Sequence, residues 1–258
     1  MNSLKKIFDR DTWDEIFESI SKNRTRTIIT SIGVFWGIFI YIALAGSATG
    51  LENGFDDAFS GLSKNSMGVW VQRTSIPYKG FEEGRYPVFK LNDVDYLKSR
   101  VPEIEYIAPG LQAGAFTGSP PLVVRGLKSD NFNVFGNFPV YAKISVINIF
   151  DGGRYINDDD IKYERKVAVI GEGTQERLFN VGEDPIGKYI RINDVNFMVV
   201  GVTKFTEGSG FGSDSDITIP YTTFAKMYNR GDQFGFMFIS GYEYVNPNYL
   251  EETVLNTL

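Results

Sequence analysis

Two residue types are missing altogether: the 258-residue chain has no cysteine and no histidine. Their absence excludes disulfides, Ser-His-Asp and Cys-His relays, and zinc sites of the usual His/Cys type. Carboxylate, Lys, Tyr and Ser chemistry stays open, but no constellation of those residues marks a catalytic centre, and no cofactor or metal site can be named. Positive charge is sparse too. Residues 1–26 hold six of the 26 bases and five of the 32 acids, leaving 20 bases against 27 acids beyond them. No basic cluster stands in that larger part, so a nucleic-acid partner is not expected.

What the chain does have is a long apolar run, Thr27 to Gly46, 20 residues without a charge. A helix needs about 20 such residues to cross ~30 Å of hydrocarbon. The polar residues within it, Thr27, Thr30, Ser31 and Tyr41, are hydroxylic, and Ser and Thr can bond back to their own helix. A core helix of a soluble protein would show a polar face; we therefore expect a transmembrane helix over 27–47. Lys5, Lys6, Arg10, Lys22, Arg24 and Arg26 precede it, and only Lys64 falls in the 20 residues that follow. That bias predicts a cytoplasmic N-terminal segment 1–26 and an external part 48–258. Ala43-Leu44-Ala45 has the A-x-A form of a signal-peptidase site, but the run exceeds the usual h-region of about 7–15 residues, which favours an uncleaved anchor.

Ahead of the span, Trp13, Ile16, Phe17 and Ile20 recur at helical spacing with Asp14, Glu15, Glu18 and Ser19 between them. Thr12 with Glu15 has capping-box spacing, and Asp11 could cap instead. The helix so predicted lies in the lipid interface or docks on another protein, and both can hold together. Within the span, Gly33 and Gly37 form a G-x-x-x-G that lets a second helix approach.

Beyond the membrane, a helix-like stretch through Leu51, Phe55, Ala58 and Leu62 leads to a strand over 67–73 and a Pro- and Gly-rich loop over 74–90. A helix 93–100 capped by Asn92 follows, then strands near 103–107, 111–116 and 122–127 and a helical turn near 130–135. A second portion begins near Tyr141 with a β-rich 143–150, then a helix 158–163, a strand 166–170 and a helix 173–179. A hairpin 189–192/197–203 turns over Asn193-Asp194; a flexible acidic loop 207–216, a strand 217–219 and a helix from Pro220 to Tyr228 follow. The end is a strand 234–243, then a helix after Asn246-Pro247 that is expected to bury Leu250, Val254, Leu255 and Leu258. Its uncapped end at Leu258 reads as a truncated polypeptide.

Three motifs mimic ligand sites. Gly182 to Lys188 has phosphate-loop spacing, but Tyr189 stands where the magnesium-binding Ser or Thr belongs, and Glu183 and Asp184 repel an anion. Gly171-Glu172-Gly173 after a strand starts like a dinucleotide fingerprint, but Glu176 takes the third glycine position. Asp214 and Asp216 lack the rest of a calcium loop, and Asp158 to Asp160 reads as a solvated helix start.

The stretches RDTWDEIFESISKNRTRTIITSIGVFWGIF with GLENGF, then GGRYINDDDIKYERKVAVIGEGTQERLF, PIGKYIRINDVNFMVVGVT and ITIPYTTF, resemble MacB/FtsX-like permeases of ABC transporters and their periplasmic core domain. The similarity covers nearly the whole chain; Asn180 departs from the Gly that many members have after Leu-Phe. The resemblance implies an α+β extracytoplasmic domain on one N-terminal transmembrane helix. A porter-like βαβ subdomain (52–140 plus 229–258) would carry an inserted mixed α/β subdomain (141–228). It also implies three more membrane helices, and a porter strand after the last helix whose absence would leave an exposed sheet edge. The function implied is non-catalytic: a permease subunit in the inner membrane that passes ATP-driven motion to the periplasm for export or extraction of an envelope substrate. A separate ABC ATPase, a second permease copy (homo- or heterodimer), membrane lipid and a periplasmic adaptor are the partners implied. A membrane-anchored binding or scaffold protein is the main alternative, and an anchored enzyme is the weakest.

Overall fold

In the computed structural model the described residues are 10–59, 65–77, 80–114, 118–205 and 212–258. The chain divides into two compact units, Met1–Asp56 and Asp57–Leu258. In the first unit, helix α1 (Arg10–Lys22) ends at Asn23 and is followed by α2, which runs from Arg24 to Phe59. At about 1.5 Å per residue the 36 residues of α2 span roughly 54 Å. Two of its hydroxyls bond back along the helix: Thr30 donates to the Arg26 carbonyl at 2.9 Å and Thr49 to that of Ala45 at 3.1 Å. Such internal bonding is what a helix in hydrocarbon needs.

In the second unit the strands are β1 (Ser66–Trp70), β2 (Phe89–Lys90), β3 (Ile104–Ala113), β4 (Leu122–Arg125), β5 (Lys128–Asn131), β6 (Val134–Asn137), β7 (Val167–Gly171), β8 (Tyr189–Ile192), β9 (Val195–Thr203), β10 (Ile217–Pro220), β11 (Gln233–Phe234) and β12 (Phe236–Gly241). Ten of them form one mixed sheet in the order β1-β12-β3-β6-β10-β7-β9-β8-β4-β5. Only β6/β10 and β7/β9 pair in parallel. Helices α3 (Leu91–Arg100), α4 (Tyr141–Ile144), α5 (Asp158–Lys162), α6 (Glu172–Leu178), α7 (Tyr221–Met227) and α8 (Pro247–Thr257) complete the unit.

Side chains alternate across the sheet with a period of two. Met237, Ile239, Ala168 and Ile170 join the main core with Leu97, Leu178, Phe224 and Leu250 from α3, α6, α7 and α8. Their neighbours point the other way. Phe236 and Phe238 pack with Ala108 and Ile144, while Val167 and Val169 pack with Ile156 and Val200. Burial on both faces explains why β7 and β12 read as unbroken apolar runs.

Several local expectations hold. Asn193 and Asp194 both have positive φ, 43° and 65°, in the two-residue turn between β8 and β9. Asn246 caps α8 by accepting from the Asn248 amide at 2.9 Å. Other expectations are corrected. The break expected between 107 and 111 is absent, and β3 runs through Pro109. The Gly110 carbonyl accepts from Gly235 on the β12 side, so the Pro109 nitrogen faces the β6 side, where pairing stops at Gly110–Asn137. The missing N–H therefore costs no ladder bond. Residues 130–135 lie in β5, β6 and the link between them, not in a helical turn, and the expected β-rich stretch 143–150 begins in helix 141–144 and carries no strand. Lys90, not Asn92, precedes the first turn of α3, with the Asp93 carboxylate accepting from its amide at 2.7 Å. Leu255 and Leu258 are exposed, because α8 buries only Leu250 and Val254. Phe116, Leu62 and half of the acidic loop (207–211) fall outside the described residues.

Ten strands of Asp57–Leu258 share one sheet, β2 and β11 pair separately, and β4 and β5 sit beyond β8, next to strands of the segment expected as an insertion. Among the described residues the sheet ends on β1 at one side and on β5 at the other.

Asp158 to Asp160, expected as a solvated helix start, instead include a buried carboxylate that fixes the loop between α4 and β7. Asp160 has a fully buried side chain and meets Arg154 in a bidentate pair at 2.6 and 3.1 Å, with Arg165 at 3.5 Å. It also accepts from the Asn157 amide at 3.1 Å, while Asn157 accepts from the Asp160 amide at 3.0 Å, closing a capping box on α5. Burial pushes the Asp160 carboxyl up, but the hydrogen bonds from Arg154 and Asn157 outweigh it and hold the group below its ordinary 3.8. A depressed carboxyl contributes stability that is present above the unfolded value and is lost as pH falls through the folded one. We expect Asp160→Asn to cost roughly 2 kcal/mol at neutral pH and to flatten the loss of stability below about pH 4. Urea unfolding of both proteins from pH 3 to pH 7 measures this; a variant with unchanged stability and slope refutes it.

Candidate functional site

Two regions stand out, one in each unit. In the first, Trp13, Phe17 and Ile20 are exposed on α1, and the Trp13 and Phe17 rings lie 6.3 Å apart between centroids. Ile16 lies in the same helix, but its side chain, with those of Asp11, Thr12 and Glu15, is outside the described set. Glu18 and Lys22 pair at 3.4 Å one turn apart, both open to solvent. This is an apolar strip on an otherwise charged helix, as the sequence spacing suggests.

On α2, a Cβ added at Gly33 or at Gly37 would meet nothing within 4 Å. The rings of Phe35 and Phe39 stack at 6.3 Å, and helical spacing puts them on the face opposite the glycines. One side of the helix is therefore smooth and the other bulky. Arg24–Gly54 is long and apolar enough to cross a membrane, and none of its apolar window is buried.

In the second unit a cleft of about 140 Å³ opens on the sheet face that carries Phe236 and Phe238. Segments 145–148, 203–205 and 212–214 form its other walls. The 145–150 segment is held to the end of β9 by the Phe150 amide on Val202 at 3.0 Å and the Lys204 amide on Asn148 at 2.9 Å. The 213–216 segment is held by glycine. A Cβ at Gly171 would fall 2.0 Å from the Asp214 carbonyl, and one at Gly173 would fall 2.5 Å from Ser215 Oγ. The Gly171 and Gly173 amides donate to Asp216 and Asp214 carbonyls, and Thr174 Oγ1 donates to that of Ser215 at 2.6 Å. The glycines that imitate a dinucleotide fingerprint thus serve close packing of a loop, which fills the place a phosphate would need.

Asp216 accepts from the Ser213 amide at 2.6 Å and from Asn133 Nδ2 at 3.2 Å. Burial nevertheless raises its carboxyl pKa, the bonds from Ser213 and Asn133 pulling the other way. Burial likewise raises the Tyr141 phenol. Tyr155, also in the lining, has a buried hydroxyl with no hydrogen-bond partner among the described residues. Burial pushes its pKa well up; Asn137 and Thr218 lie beside it and oppose that shift, yet neither meets the oxygen in hydrogen-bond geometry. The sequence gives no local sign of this cleft, because its walls come from eight separate segments.

The other mimic, Gly182 to Lys188, is a turn with positive φ at Gly182 and Gly187, 78° and 76°. Its Glu183 pairs with Arg125 and accepts from the Asn180 amide at 3.1 Å, so its acid is committed to structure. No group of three or more potential metal ligands occurs among the described residues.

Comparison with known proteins gives a consistent result. The family described as the MacB-like periplasmic core domain matches residues 27–252. The chain is similar to the macrolide export ATP-binding/permease protein MacB of Chlorobium phaeobacteroides, 27% identical over 81% of this chain and 31% of that protein. It is similar to the MacB of Aggregatibacter actinomycetemcomitans, 24% identical over 97% of this chain and 38% of that one. The pyoverdine export ATP-binding/permease protein PvdT of Pseudomonas entomophila is 25% identical over 78% of this chain and 29% of its own length. The chain thus spans about a third of the length of the curated relatives it matches. In fold it resembles the crystal structure of the periplasmic region of MacB from Actinobacillus actinomycetemcomitans, with a TM-score of 0.60 at 21% identity, covering 76% of this chain and 84% of that one. The extracellular domain of the ABC-type transporter YknZ from Gram-positive bacteria follows with a TM-score of 0.54 at 16% identity, over 72% and 88% of the two chains.

Open space beside Gly33 and Gly37 means that larger side chains there clash with nothing in this chain. We expect the double substitution Gly33→Leu, Gly37→Leu to leave helix content unchanged and to reduce recovery of a second, differently tagged copy from detergent extract by at least severalfold. Equal recovery would show that this face does not pair copies of the chain.

Proposed function

The chain belongs to the MacB-like periplasmic core domain family, and we propose that it is the first membrane helix and periplasmic domain of an ABC transporter permease. The observation that carries this reading is the extent of the family match, which begins inside the apolar helix and continues to residue 252. The basic residues ahead of the helix support a cytoplasmic N-terminus in the inner membrane. Trp13, Phe17 and Ile20 support an α1 that lies in the cytoplasmic lipid interface, where motion of an ATPase can reach it.

The mechanism proposed is transmission of force, without covalent chemistry in this chain. ATP binding closes a pair of ABC ATPase subunits, carried on a separate polypeptide; the membrane helices shift, and paired periplasmic domains move an envelope substrate. Differential contact in two arrangements is what such coupling requires. The smooth Gly33–Gly37 face is proposed to pack on a neighbouring permease helix. Within the external domain, the porter-like part (52–140 plus 229–258) and the inserted part (141–228) are proposed as the pieces that move. The similar proteins are named for macrolide and pyoverdine export; for this chain we propose export or extraction of an envelope molecule.

The test is affinity purification of the tagged protein from native membranes. We expect a stoichiometric ABC ATPase and ATP hydrolysis by the complex. A folded, membrane-embedded preparation with no ATPase would overturn the permease reading in favour of a tethered binding domain.

A further inference from the structure

We propose that the cleft beside Tyr155 is a binding site for one uncharged six-membered ring that carries an oxygen, with a phenol as the type ligand. The site stands apart from the transport reading, since it rests only on the geometry of the external domain.

Size comes first. A cavity of about 150 Å³ accommodates a benzene ring, and this cleft offers about 140 Å³. The wall is built for a ring. Phe135 meets Phe236 edge-to-face at 6.3 Å, Phe236 meets Phe238 at 5.8 Å, and Trp70 meets Phe238 at 5.6 Å. A herringbone of this kind presents both faces and edges, the arrangements that a further aromatic ring prefers.

The oxygen is called for by Tyr155. Its hydroxyl is enclosed and makes no hydrogen bond among the described residues, a costly state that demands a partner. An oxygen on the ring, placed against that hydroxyl, would accept from it. Charge is disfavoured. Asp214 and Asp216 in the lining repel an anion, and Lys204 in the same lining offsets their pull on a cation. Burial raises the pKa of Tyr155, Asp216 and Tyr141 alike, so the surroundings favour neutral groups.

Water is the competing occupant, and the test separates the two. The full chain in lipid nanodiscs is titrated with 4-fluorophenol, fluorobenzene and 4-fluorobenzylammonium by 19F NMR, with empty nanodiscs giving the partition background. We expect saturable binding of 4-fluorophenol above that background, with the ammonium compound weaker. Tyr155→Phe should weaken 4-fluorophenol about five- to tenfold, the effect of one hydrogen bond, and leave fluorobenzene unchanged. Val146, exposed at the rim of the cleft, provides a second variant that is not in the core. Val146→Trp should abolish binding of both neutral rings. No saturable binding, tighter binding of the ammonium compound, equal loss of both rings in Tyr155→Phe, or full binding in Val146→Trp would each overturn the proposal.

Discussion

Burial of both faces of one sheet is the constraint on which the second unit depends. A strand in that position cannot spare a face for water, so successive residues serve different cores. Phe236 and Phe238 serve one, Met237 and Ile239 the other. The same division makes the two faces unequal. One is closed by four helices, α3, α6, α7 and α8. The other is covered by the short helices α4 and α5 and by loops, and coverage of that kind leaves room for a cleft.

The apolar helix of the N-terminal unit is suited to a different solvent. Hydrocarbon offers no hydrogen bonds, so α2 must satisfy its own polar groups, and Thr30 and Thr49 do so against carbonyls four residues back. Hydrophobic burial does not drive one helix onto another in lipid, so shape must. Two glycines a turn apart, opposite a pair of stacked phenylalanines, give α2 a side on which a neighbouring backbone could come close.

Much of this was legible in the sequence wherever the signal is local. The charge-free run, the basic flank, the Asn-Asp hairpin turn and the Asn-Pro helix start each lie within a few residues. Family likeness was legible too, since it needs only the order of short stretches. The failures share a cause, which is tertiary context. Pro109 reads as a break, but its nitrogen faces the place where β6 has already ended. Leu255 and Leu258 read as core, but α8 turns them to solvent. Gly171 and Gly173 read as half of a nucleotide motif, and only the fold shows the 213–216 loop lying across them. Tyr155 carries no signal at all in its own neighbourhood, because what makes it unusual is the set of residues around its hydroxyl.

The pairing of β1 with β12 has a consequence for how the protein is made. Ser66 lies opposite Ser240 and Trp70 opposite Phe236, so one of the first strands of the domain waits for one of the last. Asn65 adds to this by donating to the carbonyls of Tyr242 and Glu243 at 3.0 and 2.9 Å. Contacts so distant along the chain form slowly, because the intervening loop must first be closed. During synthesis the apolar strands between them are already made while β12, which joins β1 to β3, is not, and they are exposed to aggregation for that interval. Cotranslational folding of this domain therefore reaches completion only after residue 240 has emerged.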